Sequence, residues 1–290
     1  MWDFEHPPLN TALAERYDIH YTQPALCADD LLSNRADLGL IPIASLTQEL
    51  AIVPGCTIAS LDHVRSIQLI IKLNRSKNRL PHVLRSSIAQ NMGSLSSNEE
   101  ALASVRTVAA DTASRSSLAY AQILFRKFIG TDPEFLSAQA DPIAMLAHFD
   151  AALLIGDPAL LALESRTQIE QSAGPCLWLD LAHEWCTRTS LPWVAAVWAV
   201  RPEALTKSTI TAAQLNNDLR QSRDHGLTYI DSLVAEWTSR IAIPPDTIRN
   251  YLTHNIHYTL SPDCIAAIEL FRRYATDAGI LPPLPTLRFL

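Results

Sequence analysis

The chain has 290 residues, of which 48% are hydrophobic and 18% charged. That is globular composition, which excludes an intrinsically disordered chain and allows one large or two ordinary domains whose core needs no disulfide or metal staple. Its 23 basic and 30 acidic residues give a formal charge of -7, which argues against a nucleic-acid partner, because such proteins carry a basic surplus. The five cysteines are scattered and form no C-x-x-C pair, so they read as reduced thiols packed as small hydrophobes in a cytoplasmic protein. The opening MWDFEHPPLN lacks the basic start and apolar run of a signal peptide. No apolar stretch reaches the roughly 18 residues that a membrane span requires.

In chain order, residues 26–36 predict a helix with Asp29 and Asp30 in its first turn and Leu31 and Leu32 on its inner face. Residues 37–42 predict a short buried strand ended by Pro42, and Ser45 lies just beyond it, at the start of the next element. Residues 52–60 and 64–73 predict strands, the second rich in β-branched side chains. Residues 74–104 are polar and Ser/Asn-rich, with Arg75, Lys77, Arg79 and Arg85, and predict a solvated insertion or linker with one short helix over 81–92.

A strand over 105–110, a polar turn over 111–117 and a helix over 118–128 stopped by Gly130 come next. A helix over 142–149, an apolar strand over 151–155 closed by Gly156-Asp157-Pro158, a helix over 158–163 and another over 179–187 follow, then a strand over 193–200. From Pro202 onward the pattern is helical only. The last helix is capped by Ser261, opens with Pro262, buries Ile265, Ile268 and Phe271, and ends at Gly279.

Strands alternating with helices predict parallel sheets covered on both faces. The strand over 193–200 reads as a return to the first unit. This organisation gives two α/β lobes with a cleft between them: residues 1–104 with 199–290, in which 74–104 is the polar insertion, and residues 105–198. Ligands of open α/β sheets bind outside the carboxyl ends of strands, so the segments to inspect are 42–45, 111–117 and 156–157.

The strongest chemical signal is Asp111-Thr-Ala-Ser-Arg-Ser-Ser117 between a strand and a helix. Free N–H groups at a helix start flanked by hydroxyls suit a small anion, phosphate or carboxylate, although the same residues serve equally as an ordinary N-cap. Arg115 reads as a ligand clamp or a surface charge. There is no Walker loop, G-x-G-x-x-G, H-E-x-x-H or G-x-S-x-G. His254 and His257 are spaced to share a helix face but have no third ligand nearby, so no metal site and no cofactor are expected. Residues alone lead to a two-lobed α/β protein that binds a small anion.

Five segments taken together carry a resemblance. They are ADLGLIPIAS (36–45), IVPGCTIAS (52–60) with Val64-Arg-Ser66, DTASRSS (111–117), LLIGDPA (153–159) and SLPWVAAVW (190–198). In this order they resemble the chorismate dehydratase family of the futalosine route to menaquinone, over most of the chain outside 74–104. The resemblance implies a type II periplasmic-binding-protein-like fold used as a cytoplasmic, cofactor-independent hydro-lyase, a monomer or homodimer with neither membrane nor nucleic-acid partner. The substrate would be the dicarboxylate chorismate. It would lose a proton from C3 and hydroxide from C4 to give 3-[(1-carboxyvinyl)oxy]benzoate. The resemblance also implies roles. Ser66 matches a catalytic serine beside the reacting ring. Ser114, Arg115, Ser116 and Ser117 match the carboxylate-binding helix start. Pro42, Ser45, Ile155, Gly156 and Asp157 match cleft-lining loops.

One family feature is absent. The asparagine of a Tyr/Phe-Leu-Asn motif on the first strand has no counterpart, because Asn10 in Pro-Pro-Leu-Asn sits too late and in another context. The expectation is a native start upstream of Met1 by roughly 15–25 residues, one strand and its loop, with ligand binding and turnover impaired in the chain as given. Three alternatives remain: 1,4-dihydroxy-6-naphthoate synthase, whose corresponding turn is usually Thr-Thr-rich, a non-enzymatic small-anion solute-binding protein, and an inactive paralogue that lacks the family asparagine.

Overall fold

The computed structural model describes residues 1–73, 97–111, 115–284 and 286–290. The expected helix over 81–92 and Ser114 therefore lie outside the described residues. Eight strands are present among the described residues: β1 (Leu38–Pro42), β2 (Ala51–Ser60), β3 (Ile67–Lys72), β4 (Thr107–Ala110), β5 (Glu134–Ser137), β6 (Ala151–Ile155), β7 (Cys176–Asp180) and β8 (Trp193–Val200). They form two sheets, one of three strands in the order β1-β8-β2 and one of five in the order β5-β4-β6-β3-β7.

The sequence pattern places the central strands well. Ala151-Ala-Leu-Leu-Ile155 has no polar residue, and β6 is the middle strand of the five, with Ala151 to Leu154 buried. A continuous apolar run is what burial on both sheet faces demands. β8 is likewise the middle strand of the other sheet and pairs with both β1 and β2. It carries the chain back to the sheet that holds β1 and β2.

The sheets are mixed rather than parallel throughout. β8 runs antiparallel to both neighbours, and β3 runs antiparallel to β6 and β7, while β4 is parallel to β5 and β6. The reason is connectivity. β2 leads directly into β3 through a six-residue turn (61–66), so β3 enters the five-stranded sheet without the helical crossover that parallel neighbours need.

Three other local expectations differ from the structure. The strand expected over 64–73 begins only at Ile67, because Arg65 takes a left-handed backbone (φ 64°) and the N–H groups of Val64 and Arg65 turn toward Asp180. Residues 176–189 hold a strand, Cys176–Asp180, followed by a helix, Leu181–Thr189, where a single helix over 179–187 was expected. Within the segment read as a linker, Ser97–Ser104 is a helix that buries Ala101, Leu102 and Ala103.

Both outer ends of β2 are covered by backbone from the chain's last third. Ala59 exchanges hydrogen bonds with His257 (2.9 and 2.7 Å), and Ile52 does so with Arg288 and Leu290 (2.8 and 3.1 Å). His257 is therefore in extended backbone, while His254 lies in a π-helical turn, Tyr251–Asn255, so the two do not share a helix face.

Aromatic packing joins the two sheets. Tyr120, on the helix Arg115–Ile123 after β4, lies 4.4 Å from Phe271 and 4.9 Å from Trp185 between ring centroids. Its hydroxyl donates to the Val194 carbonyl of β8 (3.1 Å). Burial pushes the Tyr120 phenol far above its usual range, so it remains a neutral donor. The last helix, Pro262–Asp277, is capped by Ser261, whose hydroxyl accepts from the Cys264 N–H (3.2 Å). It buries Ile268, Phe271 and Ala275. No helix of the described residues is long and apolar enough to cross a membrane.

Candidate active site

Several of the residues singled out in the sequence lie in two hydrogen-bonded groups. The first centres on Ser66, at the end of the β2–β3 turn, where it is only 6% exposed. Its carbonyl accepts from the Gly156 N–H (2.7 Å), and its Oγ accepts from the Tyr251 hydroxyl (3.1 Å). Gly156 follows β6 and is the N-cap of the helix Asp157–Glu164 at φ 70°. That conformation is one glycine adopts without penalty. Ile155 and Gly156 are half-buried and Asp157 is exposed. Burial raises the Tyr251 phenol above its usual range against the opposing Ser66 hydrogen bond, and the Asp157 carboxylate adds to the rise. Tyr251 is thus a donor, not a base, at neutral pH. Because it occupies an acceptor lone pair of Ser66, the serine's own proton is free to point elsewhere.

The second group joins the helix start after β4 to the turn after β1. Ser116 Oγ donates to the Ala195 carbonyl of β8 (2.9 Å) and accepts from the Ala44 N–H (3.3 Å). Ser116 and Ser117 are buried, as are Pro42 and Ser45. Ser45 closes a single 3-10 turn, Ile43–Ser45, rather than opening a longer helix, and its Oγ is buried without a hydrogen-bond partner. Arg115 extends outward and makes a two-pronged ion pair with Asp29 (2.8 and 2.9 Å).

Three residues of the site were not visible in the sequence. Arg272 is 5% exposed and donates to the carbonyls of Ala44 (3.2 Å) and Pro282 (3.1 Å), with no ion pair among the described residues. Burial lowers its pKa. On a helix that is otherwise read as amphipathic, an arginine counts as solvent-facing, so no sequence signal marks it. Tyr251 sits on a π-helical turn, a geometry that has no pattern in sequence. The third is Asp180, at the end of β7. Its carboxylate accepts from the backbone N–H groups of Val64 (3.3 Å), Arg65 (2.6 Å), Ala182 (3.0 Å) and His183 (3.3 Å), and from Gln68 Nε2 (3.3 Å). Burial raises this carboxyl against the pull of those donors. It anchors the turn that presents Ser66, and the N-cap pattern at Asp180-Leu-Ala-His183 could have revealed it.

A cavity of about 330 Å³ lies along the last helix, lined by Arg272, Arg273, Glu269, Thr276 and Asp277 among others. It contains none of the residues named from the sequence. Its two basic and two acidic side chains cancel in formal charge, so the serine-rich groups remain the better candidates for a dianion.

A family model described as menaquinone biosynthesis matches residues 3–277. The chain belongs to the menaquinone biosynthesis family. It is 25% identical over 260 residues to a chorismate dehydratase of Thermus thermophilus, a match covering 86% of this chain and 83% of that one. Among solved structures it is similar to a protein of Archaeoglobus fulgidus (TM-score 0.63, 14% identity, 97% of this chain and 94% of that one). It is also similar to the alkanesulfonate-binding protein SsuA of Xanthomonas axonopodis pv. citri (TM-score 0.52, 15% identity, 90% and 82%). The fold of this menaquinone biosynthesis family member is accordingly of the periplasmic-binding-protein type, with two α/β lobes.

Proposed function

We propose that the chain is a chorismate dehydratase of the futalosine route to menaquinone, acting in the cytoplasm without a cofactor. The observation that carries this reading is the similarity to the Thermus thermophilus chorismate dehydratase over 86% of the chain. The chemistry needs little from the protein. A proton leaves C3 of chorismate, hydroxide leaves C4, water is released, and aromatisation of the ring to 3-[(1-carboxyvinyl)oxy]benzoate drives the step. The site must hold the two carboxylates, orient the ring and exclude bulk water.

Ser66 is the proposed catalytic residue. Tyr251 occupies one lone pair of its Oγ, which leaves the Ser66 O–H free to donate a hydrogen bond to the departing C4 hydroxide. Ile155, Gly156 and Asp157 line the same end of the cleft, and the exposed Asp157 adjoins it. Pro42, Ser45, Ser116 and Ser117 form the opposite wall in this reading, with the buried Arg272 cation behind Ala44 offsetting ligand charge. On a chain of net charge -7, a dianion is retained by such local donors rather than by the overall field.

The test is to incubate the purified chain with chorismate and follow the enolpyruvyl-benzoate product by liquid chromatography and mass spectrometry. Product that Ser66→Ala reduces at least tenfold supports the reading. No product from folded protein overturns it.

A further inference from the structure

Asp62, His63 and His183 form a side-chain cluster that the proposed dehydration does not use. Asp62 and His63 lie on the β2–β3 turn, and His183 lies in the first turn of the helix Leu181–Thr189. Both imidazoles direct Nδ1 at the same carboxylate: His183 Nδ1 is 2.5 Å from Asp62 Oδ1, and His63 Nδ1 is 2.9 Å from Asp62 Oδ2. The rings stack with centroids 4.0 Å apart and planes 18° apart. One ligand atom from each residue lies within 4.8 Å of the other two.

We propose that Asp62, His63 and His183 form a binding site for one divalent transition-metal ion of the zinc class. The donor set, two imidazole nitrogens and a carboxylate oxygen, is the borderline-soft mixture that zinc takes. Bonds of about 2.0–2.1 Å in a tetrahedron place ligand atoms about 3.3 Å apart. The observed spacings reach that with small side-chain rotations, because an ion would take the place of the two Nδ1 protons that now face the carboxylate. All three side chains are at least 40% exposed, so a fourth position stays open to water.

The two limbs of the cluster are held in advance. The buried Asp180 carboxylate binds the N–H groups of Val64 and Arg65, next to His63, and also those of Ala182 and His183. Asn255 Nδ2 donates to the His63 carbonyl (2.9 Å). Ligands fixed by such supporting bonds bind metal without a large ordering cost. An ion there would clamp the β2–β3 turn to the Leu181–Thr189 helix, three residues before Ser66.

The experiment uses the untagged full chain, treated with chelator and dialysed. Zinc chloride is titrated by calorimetry, and cobalt chloride by visible absorption. One ion per chain is expected, with a cobalt spectrum of tetrahedral intensity. Each of Asp62→Asn, His63→Gln and His183→Gln should weaken zinc by at least about tenfold, while His254→Gln should leave it unchanged. Circular dichroism confirms that the variants fold. Absence of stoichiometric binding, or binding that survives all three substitutions, overturns the proposal.

Discussion

The hydroxyl of Tyr251 donates a 3.1 Å hydrogen bond to Oγ of Ser66, although the two residues are 185 positions apart in the chain. A π-helical turn from the last third of the chain thereby sets the proton orientation of a serine on the β2–β3 turn. If Ser66 donates a hydrogen bond to the leaving C4 hydroxide, which departs with the C3 proton as water, Tyr251→Phe frees that lone pair and lets the serine rotor wander. A neutral hydrogen bond is worth about 0.5–1.5 kcal/mol, so turnover should fall about three- to tenfold with little change in KM for chorismate. The phenol also remains protonated through its usual pKa of 10.0, because burial favours the neutral form. An ultraviolet difference titration of wild type against Tyr251→Phe should therefore show no tyrosinate step at pH 10. A step there would remove the argument that Tyr251 serves as a fixed donor.

Ser116 ties the helix after β4 to the other sheet by two hydrogen bonds, to Ala195 and from Ala44. Ser116→Ala leaves the buried Ala44 N–H and the half-buried Ala195 carbonyl without this partner. The expected loss is about 1–3 kcal/mol of stability, read as a lower urea midpoint at unchanged m-value. An equal midpoint would show that the two sheets are held by the Tyr120, Trp185 and Phe271 cluster alone.

Gly156 separates backbone strain from steric fit. A Cβ built there meets nothing within 4 Å, yet the residue holds φ 70°. Gly156→Ala should destabilise by about 1–2 kcal/mol through the left-handed backbone alone. Chorismate turnover should fall further, because relaxing φ moves the N–H that holds the Ser66 carbonyl. Thermal melts together with single-turnover rates distinguish the two effects. Full activity with lowered stability would place Gly156 outside the reacting geometry.

Much of this architecture is legible in the sequence because its signals are local. The all-apolar β6 and β8 announce central strands, Ser261-Pro262 and Gly279 bracket the last helix, and Gly130 stops its helix in a left-handed conformation at φ 77°. β7 escaped because Cys176-Leu-Trp-Leu-Asp180 has no β-branched residue and runs directly into its helix cap. β5, Glu134–Ser137, is a four-residue edge strand too short to show alternation. The site divides the same way. Ser66, Gly156 and Asp157 could be named from linear motifs. Tyr251, Asp180 and Arg272 act across long sequence separations, and nothing adjacent to them in the chain encodes the partner they meet.

Asp180 carries the most concentrated set of such long-range bonds. One buried carboxylate caps the Leu181–Thr189 helix and also holds the turn containing Val64 and Arg65, whose left-handed Arg65 (φ 64°) needs external support. Asp180→Asn keeps the size but replaces one acceptor oxygen by an amide that faces N–H donors. At least one of those donors is then left unsatisfied. The expected cost is about 1–3 kcal/mol, and Asp180→Ala should cost at least as much, since it also removes the cap. Amide hydrogen exchange provides the specific check. Protection should drop at Val64, Arg65, Ala182 and His183 together, while β6 and β8 keep their protection. Loss confined to the Leu181–Thr189 helix, with the Val64–Arg65 turn still protected, would show that the turn stands without Asp180 and that Ser66 is positioned by Gly156 and Tyr251 alone.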